Sequence, residues 1–421
     1  MSTEMTRPFA HPIPGRSLDH LSDSRGALSS ITLPLVAVLT LFLICQRGPA
    51  FADELDCKRV HLKSAPAWIS SATWSVDGSH LLVVDAFSDA ILTFDLAGNV
   101  VDKIVAVSSS KNESFLPSII RIHKGGYLLE NEDGIILSLD KKLEESGRRI
   151  ELRGLTNEEG DRIGGVFDWT ALGDELLVYA DIENNGKWRG GFLRIPRTEP
   201  STFIVLSDIE DRAGREMHHL GFQYLTAATL NTDSAVEPPD MDPSAVLPDT
   251  GFFLRMCDPP EIYRYSKGGD AAERLGVAKS IAVVARRPKL PSMQGGTPSI
   301  ANIYRSIERA EMPVAIHGVG KSLYLLNRKL TKERSGDGTD WSLLEVNPDD
   351  QVVTGKEIPI PTDANHLLAV PGRETWAFFE KGEVRSLGQQ RIDTLLLIPA
   401  DWIEEDSSPL EALANSGGQC K

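Results

Sequence analysis

Basic charge and aromatic side chains are both scarce in this sequence. Aromatic residues make up 7% of the 421 positions, and the 44 Lys and Arg are outnumbered by 60 Asp and Glu, giving a formal net charge of −16. Nucleic acids and anionic membrane surfaces are bound through clustered Lys and Arg. The acidic balance therefore argues against both as partners.

Several motifs that carry chemistry are also missing. The four cysteines show no zinc-site spacing, and the sequence contains neither HExxH nor GxSxG. The segment Gly318–Ser322 resembles the end of a phosphate-binding loop, but Ala315 stands where that loop needs its first glycine, and a strand follows. A hairpin turn is the better interpretation. His218 and His219 are adjacent, so on a strand they point to opposite faces and do not share one metal.

No apolar run is long enough for a typical membrane-spanning helix. Residues 31–45 form an uncharged apolar stretch of 15 residues, shorter than the ~20 needed, and small residues at 50 and 52 fit a signal-peptidase site. Residues 1–52 are therefore predicted to be a signal peptide cleaved before Asp53, which implies a secreted or periplasmic protein. Retention as a membrane anchor through residues 31–45 is the alternative. The leader holds four basic and three acidic residues, so the mature chain has a net charge of −17.

Helical periodicity is rare after the leader, and short apolar strands dominate. Six strands, each preceded by a turn or polar pair, are followed after another turn by a second strand. The first strands cover 79–85, 125–130, 174–181, 251–256, 321–327 and 373–379, and their partners cover 91–95, 135–140, 191–195, 261–265, 341–346 and 382–387. This recurrence indicates six copies of one structural unit.

The spacing of these units predicts an all-β, six-bladed β-propeller of four-stranded antiparallel blades. Successive units begin about 46 to 77 residues apart, which is enough for four short strands. Segments such as 71–74, 118–122 and 167–171 would be innermost strands, and 100–105, 203–206 and 394–398 suit outer strands. An irregular two-sheet β protein remains the alternative. Residues 301–311 alone suggest a helical insertion.

The first unit resembles a blade of the NHL-like and TolB-like group of six-bladed propellers. The similarity lies in the Asp-Gly turn at 77–78, in the strand ending at Asp85 and in the strand ending Phe94-Asp95 before the turn at Gly98. The similarity is good over about residues 68–105 and fair over 118–152. After residue 152 only the regular spacing of the strands is similar. Asn327 stands near the place of Asp85 in a later unit. The resemblance implies the fold and no particular activity.

Ring closure connects the two ends of the mature chain. Residues 60–62 are expected to supply the outer strand of the last blade, so that residues 53–402 form one propeller domain and 403–421 a polar tail. Cys57 and Cys420 then lie on the same side of the ring, and they are the favoured disulfide pair, with Cys257 a buried thiol. Three reduced cysteines are the alternative. The acidic loop 231–249 and the basic loop 286–298 suggest a lid over one channel mouth, or else solvated insertions.

Polar and aromatic side chains near predicted strand ends are the candidate ligand-binding residues. They are Trp74, Asp85, Glu130, Asp168, Asp181 and Asn327. The leading interpretation is an exported binding or scaffold protein, without a required cofactor, that recognises a protein, peptide or glycan ligand at the channel mouth. Propeller lactonases, which this fold would resemble, hold calcium in the channel with Asp, Glu and Asn, so a Ca²⁺-dependent hydrolase or lactonase is the alternative. Ordinary turn and core roles compete with both.

Overall fold

A computed structural model describes residues 57–105, 117–131, 133–198, 200–209, 227–230, 249–255, 261–277, 312–330, 339–347, 352–353, 356–364, 366–381, 392–418 and 420. Several predicted features lie outside these ranges: the leader, His218 and His219, nearly all of the acidic loop, the basic loop, the insertion at 301–311 and Cys257. None of the described helices has both the length and the apolar character needed to cross a membrane.

The chain forms six antiparallel blades, as the spacing of the strand pairs predicted. The first three blades are β2–β5 (Ile69–Trp74, Leu81–Asp85, Ala90–Phe94 and Val100–Val105), β6–β9 (Pro117–His123, Gly126–Asn131, Ile135–Leu139 and Ile150–Glu151) and β10–β13 (Arg162–Leu172, Glu175–Asn184, Lys187–Pro196 and Ile204–Ile209). We number them blades 1, 2 and 3.

Blades 4 to 6 follow in the same order along the chain. Blade 4 contains β14–β17 (Ala227–Leu230, Thr250–Arg255, Glu261–Ser266 and Glu273–Val277), and blade 5 contains β18, β19, β20 and β22 (Met312–Val319, Ser322–Leu330, Thr339–Val346 and Glu357–Ile360). Blade 6 contains β23–β25 (His366–Val370, Thr375–Lys381 and Thr394–Pro399) and β1 (Lys58–His61). A two-residue strand, β21 (Val352–Val353), adds to blade 4 by pairing in parallel with β17.

The N-terminal strand closes the ring, as predicted. Strand β1 pairs antiparallel with β25, so the first strand of the described residues becomes the outermost strand of the last blade. The Arg59 guanidinium also lies 2.7 Å from the Glu380 carboxylate on β24. Joining the two ends of the chain within one sheet holds the first and last blades together.

Two strand assignments in the last blade were wrong. Residues 394–398 were expected to form an outer strand, but β25 is the third strand and β1 lies outside it. The expected second partner at 382–387 lies outside the described residues, and β24 pairs with β25 instead. The sequence repeat gave the wrong partner because the segment between the second and third strands is longer in blade 6 than in blade 1.

Blade 1 shows how burial varies across a blade. Every residue of β3 is buried, whereas β5, at the blade edge, is mostly exposed. Neighbouring blades cover both faces of the inner strands, which explains continuous apolar runs such as Leu81–Val84. Aromatic rings fill some of the seams: Phe192 of blade 3 stacks on Phe253 of blade 4 with ring centres 4.2 Å apart. The segment at Gly318–Ser322 is a hairpin turn between β18 and β19, as expected.

The C-terminal segment, expected to be a polar tail, contains two short helices. They are α1 (Ala400–Glu404) and α2 (Ser408–Ser416), and they bury Ile403 and Leu410 against the core. A disulfide joins Cys57 to Cys420 with their Cα atoms 5.1 Å apart, which is the pair that the sequence favoured. It ties the end of the chain to the residue just before β1.

Candidate functional site

Four of the innermost strands contain a β-bulge at a corresponding place, and this bulge fixes the height of the following side chains along the channel axis. In β2, β6, β10 and β18 the pairing with the second strand skips a residue, which is a β-bulge. The corresponding skipped residues are Ser70, Ser118, Phe167 and Val314, and β10 skips a further residue, Gly164, nearer its start. The third residue after each is polar: Thr73, Arg121, Thr170 and His317. These four side chains therefore occupy corresponding positions, and we call them the polar ring.

The polar ring lines the central channel of the propeller. Residues from all six innermost strands surround a cavity of about 230 Å³, and the ring members are joined there by Asp168, Ser70 and Ser71. Hydrogen bonds between blades hold this wall in place. The Ser70 hydroxyl donates to the Ser118 carbonyl oxygen at 2.7 Å. Ser71 accepts from the Ile120 N–H at 3.2 Å. Both contacts connect blade 1 to blade 2, so the channel surface is held by interblade hydrogen bonds.

Arg121 is the cationic member of the ring. Its guanidinium donates to Asp168 Oδ1 at 2.5 Å and lies over the Trp169 ring, 5.5 Å from the ring centre. Both partners come from blade 3, whereas Arg121 belongs to blade 2. The Arg121 Nε atom is buried and has no hydrogen-bond partner among the described residues. One donor of this cavity-lining residue is therefore unsatisfied within the described structure.

Glu130 lies behind this ion pair. The Trp169 indole N–H donates to Glu130 Oε2 at 2.6 Å, and Glu130 is fully enclosed. Burial, together with the nearby Asp168 charge, raises the pKa of Glu130 to about 8, although the Trp169 hydrogen bond and Arg121 oppose the shift. At neutral pH the Glu130 carboxyl is therefore mainly protonated and uncharged.

His317 faces the channel from blade 5. Its side chain is 1% exposed, and neither ring nitrogen has a hydrogen-bond partner among the described residues. The edge of the imidazole contacts Trp376 of blade 6, with ring centres 5.9 Å apart. Burial lowers the pKa of His317 to about 3, and the Arg121 charge acts in the same direction. The ring is therefore neutral, with one donor and one acceptor unsatisfied.

Two of the six sequence-predicted site residues meet in the structure. Glu130 and Asp168 are both linked to the Arg121–Trp169 pair at the channel wall. Trp74 instead fills the seam between blades 1 and 6, where its indole N–H donates to the Val370 carbonyl oxygen at 3.2 Å. A Cβ atom at Gly372 would lie 2.4 Å from Trp74 Nε1, so only glycine fits beside it. Trp74 thus has a packing role.

Asp85 and Asn327 occupy corresponding positions, as the resemblance among the units suggested. Asp85 pairs with Ile69 just before the bulge in blade 1, and Asn327 pairs with Pro313 just before the bulge in blade 5. The Asp85 carboxylate accepts from the Trp68 N–H at 3.0 Å and from the Ser88 hydroxyl at 2.8 Å. This carboxylate organises the turn after β3, which is the ordinary structural role.

Asp181 lies on β11, the second strand of blade 3. It pairs with Gly165 on β10 and with Gly190 on β12, in the long middle strand of blade 3. Among the described residues, no group of three or more Asp, Glu, His or Cys side chains is placed to hold a metal ion. The carboxyl oxygens of Asp168, at the cavity, and of Glu130, behind it, accept hydrogen bonds from Arg121 and Trp169, respectively.

Sequence reasoning did not select Arg121, Thr170 or His317. Arg121 lies in the segment 118–122 that was assigned to an innermost strand, and His317 lies just before the glycine-rich turn at Gly318–Ser322. The only signal that links them is a constant offset of three residues from each bulge. A bulge has no distinct sequence pattern here, because the skipped residues are Ser, Ser, Phe and Val.

Comparisons with known proteins add little to this description. No family model matches the chain, and no curated protein matches it. Among solved structures, a member of the DUF4221 family from Bacteroides vulgatus is 12% identical, with a TM-score of 0.49, and the match covers 81% of this chain and 95% of that one.

Two further solved structures have similar values. A calcium-binding regucalcin from Agrobacterium tumefaciens is 12% identical, with a TM-score of 0.39 and coverage of 82% of this chain and 94% of that one. A gluconolactonase from Xanthomonas campestris is 11% identical, with a TM-score of 0.41 and the same two coverages. At these values the likeness carries no information about a ligand or an activity of this chain.

Proposed function

We propose that this chain is an exported β-propeller binding protein that recognises a protein, peptide or glycan ligand at the channel mouth. The observation that supports this is the polar ring, in which groups from opposite blades converge on one cavity while His317 and the Nε of Arg121 lack partners among the described residues. Buried polar groups in folded proteins are normally hydrogen-bonded. A ligand group that enters the channel would supply the missing partners.

A binding role accounts for the channel carboxylates better than a catalytic one. Asp168 is held by Arg121, and Glu130 is protonated near neutral pH and bonded to Trp169. Neither is presented as a free base. The proposal assigns no catalysis and requires no cofactor. Whether Ca²⁺ binds is decided by comparing the melting temperature of residues 53–421 in calcium and in a chelator, since a cation that binds only the folded state stabilises it.

Export rests on the leader and on the disulfide. Disulfides persist mainly in oxidising compartments, and Cys57–Cys420 joins the two ends of the mature chain. We therefore place the protein in the periplasm or outside the cell, without nucleic-acid partners and with membrane contact only through an uncleaved leader. N-terminal sequencing of the protein from the exported fraction is expected to begin at Asp53. A chain that retains residues 31–45 would support the membrane-anchored alternative.

Blocking the channel tests the binding role. The half-buried Thr73 lines the cavity from blade 1, so Thr73→Trp is expected to fill it, whereas the same change at the exposed Thr198 leaves the channel open. Each purified protein is incubated with an extract of its source cells, washed, and analysed by mass spectrometry for retained compounds. Compounds held by wild type and Thr198→Trp but not by Thr73→Trp support the proposal. Equal retention by all three, with circular dichroism showing intact folds, would contradict it.

A further inference from the structure

The channel presents hydrogen-bond donors that nothing in the described part of the chain accepts. Arg121 offers its Nε–H, and the neutral His317 ring offers one N–H. Leaving such groups buried and unpaired lowers stability, whereas an apolar side chain of the same shape would avoid that loss. The presence of both unsatisfied donors in residues that line one cavity points to a ligand that pairs with them.

The two donors are placed to act on one ligand group. Arg121 and His317 lie three residues after the bulges of blades 2 and 5, which are opposite one another in a ring of six. They therefore occupy the same level on opposite sides of the channel. The cavity between them also contacts Thr170, at the same level on blade 3. A ligand group at that level would meet donors from both sides.

The charges of Arg121 and Asp168 limit which chemical group of a ligand can bind between the two donors. The guanidinium is cationic at all relevant pH values, and charge-assisted hydrogen bonds to carboxylates are stronger than neutral ones. Asp168 already neutralises part of the Arg121 charge, which disfavours a dianion such as phosphate beside it. A planar monoanion with two acceptor oxygens can accept from two donors and adds the least charge.

We infer that the channel binds a carboxylate of the ligand between Arg121 and His317. This inference rests on the proposed binding function and specifies its ligand chemistry. One carboxylate oxygen accepts from Arg121 Nε and the other from the His317 N–H, while Asp168 continues to hold the guanidinium in place. The carboxylate belongs either to a sugar acid or to the C-terminus of a peptide.

Matched acid and neutral probes distinguish these sources. Isothermal titration calorimetry on residues 53–421 compares galacturonate with galactose, and Ala-Ala-Ala with its C-terminal amide, at constant ionic strength. We expect one acid to bind at least about tenfold more tightly than its neutral counterpart, since one charge-assisted contact accounts for that ratio. The acid that binds identifies the source. Equal affinity of acid and neutral probes, or no binding of either acid, overturns the inference.

Two conservative variants test the assigned donors. Arg121→Lys keeps a positive charge for Asp168 but removes the Nε donor, and His317→Phe keeps the ring shape but removes both nitrogens. Each is expected to weaken acid binding about tenfold or more. Arg153→Lys is the control, since Arg153 is half-exposed and outside the channel lining. Unchanged affinity in both channel variants overturns the inference.

Stability separates a ligand-binding imidazole from a structural one. Because His317 lacks a partner in the described structure, His317→Phe is expected to melt at or above the wild-type temperature. A fall of several degrees would indicate that the imidazole supports the fold, and would overturn its assignment as a ligand donor. The proposed function has its own test: if the open channel retains compounds and none is an acid, only the carboxylate inference fails.

Discussion

Arg121 and His317 stand at the same level on opposite sides of the propeller channel, each three residues after the bulge of an innermost strand. Antiparallel pairing fixes both strands along their length, so this separation is set by the scaffold and not by flexible loops. Such rigid placement suits a site that holds a small group, because the protein does not have to order the groups when the ligand binds.

The Arg121–Asp168 ion pair should matter more to stability than a comparable pair at the surface. Asp168→Asn removes the charge opposite a mostly buried guanidinium, and we expect it to lower the free energy of unfolding by about 1–3 kcal/mol. The matched control is Asp174→Asn, which breaks the exposed Lys124–Asp174 pair and should change that free energy by less than about 1 kcal/mol. Urea unfolding monitored by circular dichroism measures both.

Equal losses in the two Asp→Asn variants would contradict the assignment of Arg121 to a desolvated wall. The same conclusion would follow if Asp168→Asn were neutral. In that case the guanidinium would be solvated through the channel, and its charge would not need Asp168.

Glu130 should make the protein less stable as the pH rises. Its pKa is about 8 in the folded protein and close to 4.5 when exposed, so the folded state keeps the proton between these values and the unfolded state does not. Its contribution to stability is therefore complete below pH 4.5 and declines up to about pH 8, by roughly 1.4 kcal/mol per pH unit. Glu130→Gln keeps an oxygen that can accept from Trp169 and carries no titrating proton.

The test of Glu130 is the difference between wild type and Glu130→Gln across pH. We expect the variant to match wild type near pH 4.5 and to exceed it in free energy of unfolding near pH 8.5, as measured by urea unfolding. Other titrating groups are common to both proteins, so the difference isolates Glu130. Parallel pH curves would show that the buried carboxyl has no raised pKa.

The regular recurrence of apolar strands made the propeller fold predictable from the sequence. The polar ring could not be predicted in this way. Continuous apolar runs such as Leu81–Val84 identify strands covered on both faces, and the closing strand β1 follows from the need to join the ends of a ring. Arg121 and His317 come together through register instead. A one-residue bulge reverses the face of the sheet on which the following side chains lie. Neither the position of a bulge nor the pairing partner of a strand can be predicted from the local amino-acid composition.

Residue type alone did not separate residues with a turn or packing role from residues at the channel. Asp85 and Trp74 attracted attention as a carboxylate at a strand end and an aromatic near a loop, yet one organises a turn and the other fills a blade seam. The role of Trp74 depends on Val370, 296 positions away, and that of Asp85 depends on Trp68, 17 positions away, as well as on the nearby Ser88. Glu130 and Asp168 come near one another only through the propeller itself, which brings the inner strands β7 and β10 of neighbouring blades close together.

Asp85 should affect folding without affecting the channel. Asp85→Ala leaves the Trp68 N–H and the Ser88 hydroxyl without their acceptor, so we expect a loss of about 1–3 kcal/mol in the free energy of unfolding. The exposed Asp102 is the control, and Asp102→Ala should change it by less than about 0.5 kcal/mol. Retention of channel ligands should be unchanged in both variants. If the folded Asp85→Ala protein failed to retain channel ligands, Asp85 would have to be counted among the ligand-binding residues.

The Cys57–Cys420 disulfide should stabilise the protein by linking the ends of the chain. The two cysteines are 363 positions apart, and a crosslink that closes so long a loop restricts the unfolded chain strongly. We expect the Cys57→Ser/Cys420→Ser double variant to lose about 2–5 kcal/mol in free energy of unfolding. A reducing agent should produce a similar loss in wild type and no loss in the variant.

Cys257 provides the internal control for this comparison, since it is present in both proteins. Any effect of the reducing agent that acts through Cys257 would appear in the variant as well as in wild type. An equal response of the two proteins would therefore assign the redox sensitivity elsewhere. A response confined to wild type means that the Cys57–Cys420 bond stabilises the fold by holding Cys420 next to the residue that precedes the closing strand β1.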